Sequence, residues 1–331
     1  MERFALAAAV VLGFALTAAL CSLFVPLRRV LERREQNQQP AQSEQPRPAP
    51  LRAPLWGGLC AAAGTVAAVG VGWLAACVGQ PELLGSEGRL MTRLLTALAG
   101  SLAFGAVGLV EDLARMRSPA ALGLRRDVRL LLEALAAAFV LLLLQAAGCL
   151  PRGLDVPGAG YVLLGSAVPF LWAVLMVALA ECARIAERDE GTVCGAAFVA
   201  MLALMMAEAG LGVPGLAVLP AALAGALVAL LLWAFPPARL GVGCCGSLLA
   251  AGAIGCIPLS LDMTSLTVPL ALPFWAAGGL LAAQLLGAKR TGKPLRCWVK
   301  KHKMSPETVF LCSFALSAVG YVLALALLRW C

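Results

Sequence analysis

The chain is 331 residues long, 61% hydrophobic and 13% charged, with a mean hydropathy of +0.88 and a formal net charge of +8. Apolar surface in that excess excludes a water-soluble globular domain and makes the lipid bilayer the solvent in which the chain folds. The positive charge is then a topology signal and an attraction to anionic headgroups, not a nucleic-acid footprint.

A span needs roughly 20 apolar residues to cross the hydrocarbon core. The predicted fold is an all-α integral membrane protein of ten transmembrane helices, at 4–27, 56–79, 92–110, 130–149, 160–181, 192–210, 214–235, 243–261, 266–288 and 308–329. In the first, Leu20-Cys21 faintly resembles a lipoprotein cleavage site, yet the apolar run continues to Leu27 and stops at Arg28-Arg29. That is a stop-transfer pattern, so an uncleaved first helix is expected. Residues 35–54 are rich in Gln and Pro, cannot bury apolar area and read as a flexible cytoplasmic linker. Trp56-Gly57-Gly58 opens the second helix with a small pair that permits close helix contact, and Ser247, Ala251 and Gly255 form a packing stripe in the eighth. There is no tandem repeat and no soluble module, so residues 1–331 read as one polytopic membrane domain. The 12 cysteines are scattered and read mostly as small apolar fillers, with neither a disulfide framework nor a zinc site.

Basic residues favour the cytoplasmic side. With both termini outside, only Arg3, Arg89, Arg93, Arg152 and Arg329 of the 26 Lys and Arg fall on the outer side. The inner segments then hold the charged stretches that carry chemistry. Gly108-Leu109-Val110-Glu111-Asp112 ends an apolar span in two adjacent carboxylates, a costly arrangement unless a cation or charged substrate is expected there. A basic turn follows, through Arg115, Arg117, Arg125 and Arg126 to Arg129, and Glu133 is spaced to pair with Arg129.

The whole stretch from Gly108 to Arg129 resembles the polyprenyl-phosphate sugar-1-phosphate transferases of the glycosyltransferase family 4 type, and among them the phospho-N-acetylmuramoyl-pentapeptide transferases. That family carries Asp-Asp, a lysine three residues on, a Gly-Leu pair and a further lysine. This chain aligns without a gap as Glu111, Asp112, Arg115, Gly123, Leu124 and Arg129. The resemblance implies metal and lipid-phosphate chemistry at Glu111 and Asp112, and phosphate contacts at Arg115 and Arg129. Arginine in place of lysine keeps the charge but turns a point donor into a planar fork.

Three further segments extend the resemblance while departing from its chemistry. Where the family has Asn-x-x-Asn-x-x-Asp-Gly-x-Asp-Gly, this chain has Glu181, Arg184, Glu187, Arg188 and Glu190, with Gly191 retained. The acids survive but the amides do not, and the alternating signs of this loop predict internal ion pairs. In Gly243-Cys244-Cys245-Gly246-Ser247-Leu248, Cys244 takes the position of the family's magnesium-binding aspartate and Cys245 that of a threonine. Thiolate is a soft ligand and magnesium a hard ion, so the substitution reads as loss of the metal ligand; a reactive thiol pair or a soft-metal site is the alternative reading. The family's histidine row is replaced by Arg296-Cys297-Trp298 within a basic cluster running from Lys289 to Lys303.

The resemblance implies transfer of a sugar phosphate from a UDP-sugar to polyprenyl phosphate, with Mg2+, in peptidoglycan synthesis at the bacterial cytoplasmic membrane. The departures predict a catalytically impaired member that binds lipid phosphate or acts as a regulatory partner, as a homodimer or with other cell-envelope proteins. An active transferase with an ion held by Glu111, Asp112, Glu187 and Glu190 is the alternative. A transporter is the second alternative, disfavoured by helix interiors nearly free of ionisable groups.

Overall fold

The structure is a computed structural model that describes residues 2–38, 56–79, 88–117, 123–151, 153–156, 160–163, 165, 167–187, 191–212, 215–236, 238–286 and 305–330. Its helices are α1 (Glu2–Gln38), α2 (Gly57–Gly79), α3 (Gly88–Arg117), α4 (Arg126–Ala146), α5 (Ala167–Ala186), α6 (Thr192–Gly210), α7 (Val218–Ala234), α8 (Gly243–Ser260), α9 (Thr267–Leu270), α10 (Leu272–Leu286) and α11 (Pro306–Trp330). By length and composition α1, α2, α3, α5, α6, α8 and α11 can each cross a membrane, and α7 is a shorter apolar helix. The chain is a multi-pass helical membrane protein.

Four segments differ from the sequence expectation. Helix α3 does not stop at residue 110 but continues to Arg117, so Glu111, Asp112 and Arg115 stand on a helix and not in a turn. Glu, Leu, Ala, Arg and Met are all strong helix formers, so the helix persists after its apolar character ends. Residues 160–163, predicted to open a helix, instead pair as β2 (Gly160–Leu163) with β1 (Gly153–Val156) in an antiparallel hairpin, Gly153 opposite Leu163. Helix α5 accordingly starts at Ala167 and runs on to Ala186, which puts Glu181 and Arg184 in its last turns. The predicted segment 266–288 is broken into a 3-10 turn at Thr264–Leu266, α9 and α10. Residues 35–38 of the predicted linker are helical, since α1 reaches Gln38; residues 39–55 lie outside the described residues.

Helix α8 is the centre of the bundle, with every residue from Gly243 to Ser260 buried. Its most extensive neighbour is α3. The two run antiparallel with almost no side-chain spacing: a Cβ on Gly108 would strike the backbone of Cys244, and one on Gly252 would meet Ser101 and Phe104. In lipid, helices gain little from hydrophobicity and associate through such close backbone contact. Helix α2 joins α8 at the same end. Gly57 N–H donates to the Gly241 carbonyl at 3.2 Å and Gly58 N–H to that of Val242 at 2.9 Å. Two amides that a helix N-terminus leaves without an intrahelical partner are thereby satisfied. Helix α1 packs antiparallel on α2, with Thr17 against Gly64 and Ala9 against Gly72, and Phe24 stacks on Trp56 with ring centroids 5.6 Å apart.

Candidate functional site

The charged residues singled out in the sequence meet at the end of the bundle where α3 and α5 finish and α4, α6 and α8 begin. Gly123, with φ +70, turns the chain between α3 and α4. A Cβ there would lie 3.1 Å from Arg115 Cγ, so both the conformation and the crowding favour glycine. Arg115 Nη2 donates to Glu111 Oε1 at 2.8 Å, and its Nη1 lies 3.8 Å from Asp112 Oδ1 and 3.7 Å from Glu187 Oε2. From α4, Arg129 Nε donates to Glu181 Oε1 at 2.7 Å and lies 3.9 Å from Glu133 Oε1, while Nη1 is 3.8 Å from Glu111 Oε1. Arg184 Nη2 donates to Glu181 Oε2 at 2.5 Å, with Nη1 3.9 Å from Glu111 Oε1. Glu111 is therefore the hub, approached by a guanidinium from each of α3, α4 and α5.

Asp112 has a different task. Its Oδ1 accepts the Cys244 N–H at 3.0 Å and its Oδ2 the Cys245 N–H at 2.9 Å. A carboxylate from α3 thus caps the N-terminus of α8, where unpaired amides and the helix dipole favour negative charge. Gly243 at φ +72 presents those amides, and Gly108, one turn before Asp112, lets the helices approach closely enough for the bonds to form.

The cluster is buried and unevenly balanced. Five carboxylates (Glu111, Asp112, Glu133, Glu181 and Glu187) face three guanidinium groups. Glu111 Oε2, both Glu133 oxygens and Arg184 Nε are buried without a hydrogen-bond partner. Cys244 directs its sulfur toward Glu187, with Sγ 4.0 Å from Oε2. For magnesium the donor set is a poor match. Both Asp112 oxygens are held by backbone amides, Glu111 lies among guanidinium groups, and the adjoining position offers sulfur. Among the described residues no group of three His, Cys, Asp or Glu side chains is placed to hold a metal ion.

The structure brings together Glu111, Asp112, Arg115, Arg129, Glu181, Arg184, Glu187 and Cys244. Cys245 contributes its backbone amide to the Asp112 cap. Glu190, Arg296, Cys297 and Trp298 lie outside the described residues. Two features escaped the sequence reading. The Glu181–Arg129 bond joins residues 52 apart, and the Asp112 cap joins residues 132 and 133 apart. No local spacing signals either, unlike the Glu111–Arg115, Arg129–Glu133 and Glu181–Arg184 pairs, which lie four, four and three residues apart.

The described residues thus form a helical membrane bundle with a charged cluster where its helices end on one side. Residues 94–262 match the model of glycosyl transferase family 4, and the chain belongs to that family. It is similar to the phospho-N-acetylmuramoyl-pentapeptide-transferase of Mycobacterium tuberculosis (strain ATCC 25618 / H37Rv), 28% identical over 265 residues that cover 72% of each chain. The enzyme of the same name from Synechococcus sp. (strain RCC307) is 30% identical over 63% of this chain and 55% of its own. That from Desulforudis audaxviator (strain MP104C) is 32% identical over 48% of this chain and 50% of its own.

Proposed function

We propose that this chain is a family member whose catalytic-type cluster is neutralised from within, and that it serves cell-envelope synthesis at the bacterial cytoplasmic membrane as a lipid-phosphate-binding or regulatory partner. The observation that carries this reading is the use already made of the two acids. Three arginines converge on Glu111, and both Asp112 oxygens cap α8. Transfer of a phosphosugar depends on positioning and on neutralising the leaving diphosphate, work that a divalent ion does when it is held accurately. Cys244 in place of an oxygen ligand and guanidinium groups around Glu111 both oppose that.

Polyprenyl phosphate remains the ligand class that the family resemblance supports, with Arg115 and Arg129 as its contacts. Both guanidinium groups are paired with carboxylates, so binding requires each to exchange a carboxylate for a phosphate oxygen. Arginine accepts either partner in the same fork geometry. A second copy of the chain or another envelope protein is the proposed target of regulation.

The test is an assay of the purified protein in nanodiscs for magnesium-dependent release of UMP from a UDP-sugar in the presence of polyprenyl phosphate. No release is expected. Turnover abolished by Glu111→Gln or Asp112→Asn would overturn this reading and establish an active transferase with an altered metal site. Native mass spectrometry tests the lipid: wild type should retain polyprenyl phosphate, and the Arg115→Ala/Arg129→Ala double variant should lose it. Equal retention by both removes these arginines from the site.

A further inference from the structure

Away from the carboxylate cluster, the bundle brings thiols together that the sequence leaves far apart. The antiparallel register of α1 and α2 places Thr17 against Gly64 and Ala9 against Gly72. Continued by one turn, the same register sets Cys21 opposite Cys60. Both are buried, at 0% and 1% exposure, and their thiols hydrogen-bond one another. The stacked rings of Phe24 and Trp56 lie one turn further along. Two more thiols are near: Cys194 of α6 lies within electrostatic reach of Cys21, and Cys245 of α8 within reach of Cys60.

Cys60, Cys194 and Cys245 each belong to the first turn of their helix. Thiolates are soft donors that select soft ions. Since no group of three candidate metal-ligating side chains occurs among the described residues, the pair offers two sulfurs and not the four-coordinate set of a structural zinc site.

We infer that Cys21 and Cys60 form a two-coordinate site for a soft monovalent cation, with Cu(I) as its cellular representative, clamping α1 to α2 beneath the Phe24–Trp56 stack. Binding breaks two S–H bonds, forms two S–Cu bonds and releases two protons per ion; no electron is transferred. The site is independent of the reading of Glu111 and Asp112, because neither thiol belongs to that cluster.

The experiment is an anaerobic titration of the reduced full-length protein with Cu(I) against a chromophoric chelator, with X-ray absorption of the loaded protein. One equivalent with two sulfur neighbours is expected in wild type. Cys21→Ala/Cys60→Ala should lose that equivalent, or at least tenfold in its affinity, whereas the exposed-thiol variant Cys312→Ala should keep it. Equal affinity and stoichiometry in wild type and the double variant would overturn the site. Phenylarsine oxide gives a readout that needs no variant to fold. It condenses with two adjacent thiols, releasing one water, and peptide mapping after labelling of the native protein should find Cys21 and Cys60 bridged. A bridge formed only between other cysteines would count equally against the proposal.

Discussion

Asp112 shows how much one side chain can do by where it stands. Removing its carboxylate leaves the buried Cys244 and Cys245 amides without acceptors, a loss of roughly 1–3 kcal/mol for each buried group left unsatisfied. Asp112→Ala should therefore lower the thermal midpoint of the detergent-solubilised protein clearly. Asp112→Asn, which keeps one acceptor and sets an NH2 against the other amide, should fall between Ala and wild type. Equal midpoints for all three would show that the cap contributes nothing to stability. Cys244→Asp makes the converse test: it supplies an oxygen donor beside Glu187, so millimolar magnesium should raise the midpoint of this variant and leave wild type unmoved. The variant should still release no UMP, because Arg184 continues to occupy the approach to Glu111. Much of this local chemistry was legible in the sequence. Arg129 and Glu133 sit four residues apart, and Glu181 and Arg184 three, so their pairing follows from helical geometry. That Glu111 would be shared by arginines of three helices was not legible, because it depends on how α3, α4 and α5 cross.

At the scale of the helix, the glycines of α2 and α3 set how near α8 can come. Gly58 lies against the Gly246 backbone and Gly108 against that of Cys244, with no room for a methyl group in either place. Gly70, on the same α2, meets nothing within 4 Å. Gly70→Ala should be neutral or gain up to about 1 kcal/mol from helix propensity. Gly58→Ala and Gly108→Ala should each cost about 1–3 kcal/mol by forcing the backbones apart. Thermal denaturation followed by size-exclusion chromatography separates these outcomes, and a neutral Gly108→Ala would contradict the close contact. The glycine pair at 57–58 and the small-residue stripe of α8 were visible as packing signals in the sequence. Helix ends were less so. Apolar content marks the stretch that lipid solvates, whereas α3 and α5 continue as helices into the charged zone, where paired side chains replace lipid as the stabilising surroundings. Residues 160–163 were misread for a related reason: Gly-Tyr-Val-Leu is apolar enough for a span, but its partner strand, which decides its form, begins at Gly153.

For the whole molecule, the charge asymmetry and the helix directions combine into one expectation. Helix α4 leaves the charged cluster and α5 returns to it, so the β1–β2 hairpin between them lies at the opposite end of the bundle. With both termini outward, the hairpin faces outside. An impermeant maleimide on intact cells should label Tyr161→Cys, whose native side chain is exposed, in a background lacking the native cysteines. Protection of that site until the membrane is opened would invert the topology. The complete enclosure of α8 also has a consequence for biogenesis. Helix α8 is apolar enough to cross the membrane alone, yet its small residues gain their close backbone contacts only when it docks. Its main partner α3 is synthesised more than a hundred residues earlier and waits with a vacant groove, its glycine face and Asp112 turned toward whatever fills that space. Chains released before Gly243 would display this unfilled groove as a mark of incompleteness, and membrane quality-control proteases should clear them faster than chains that extend past Ser260.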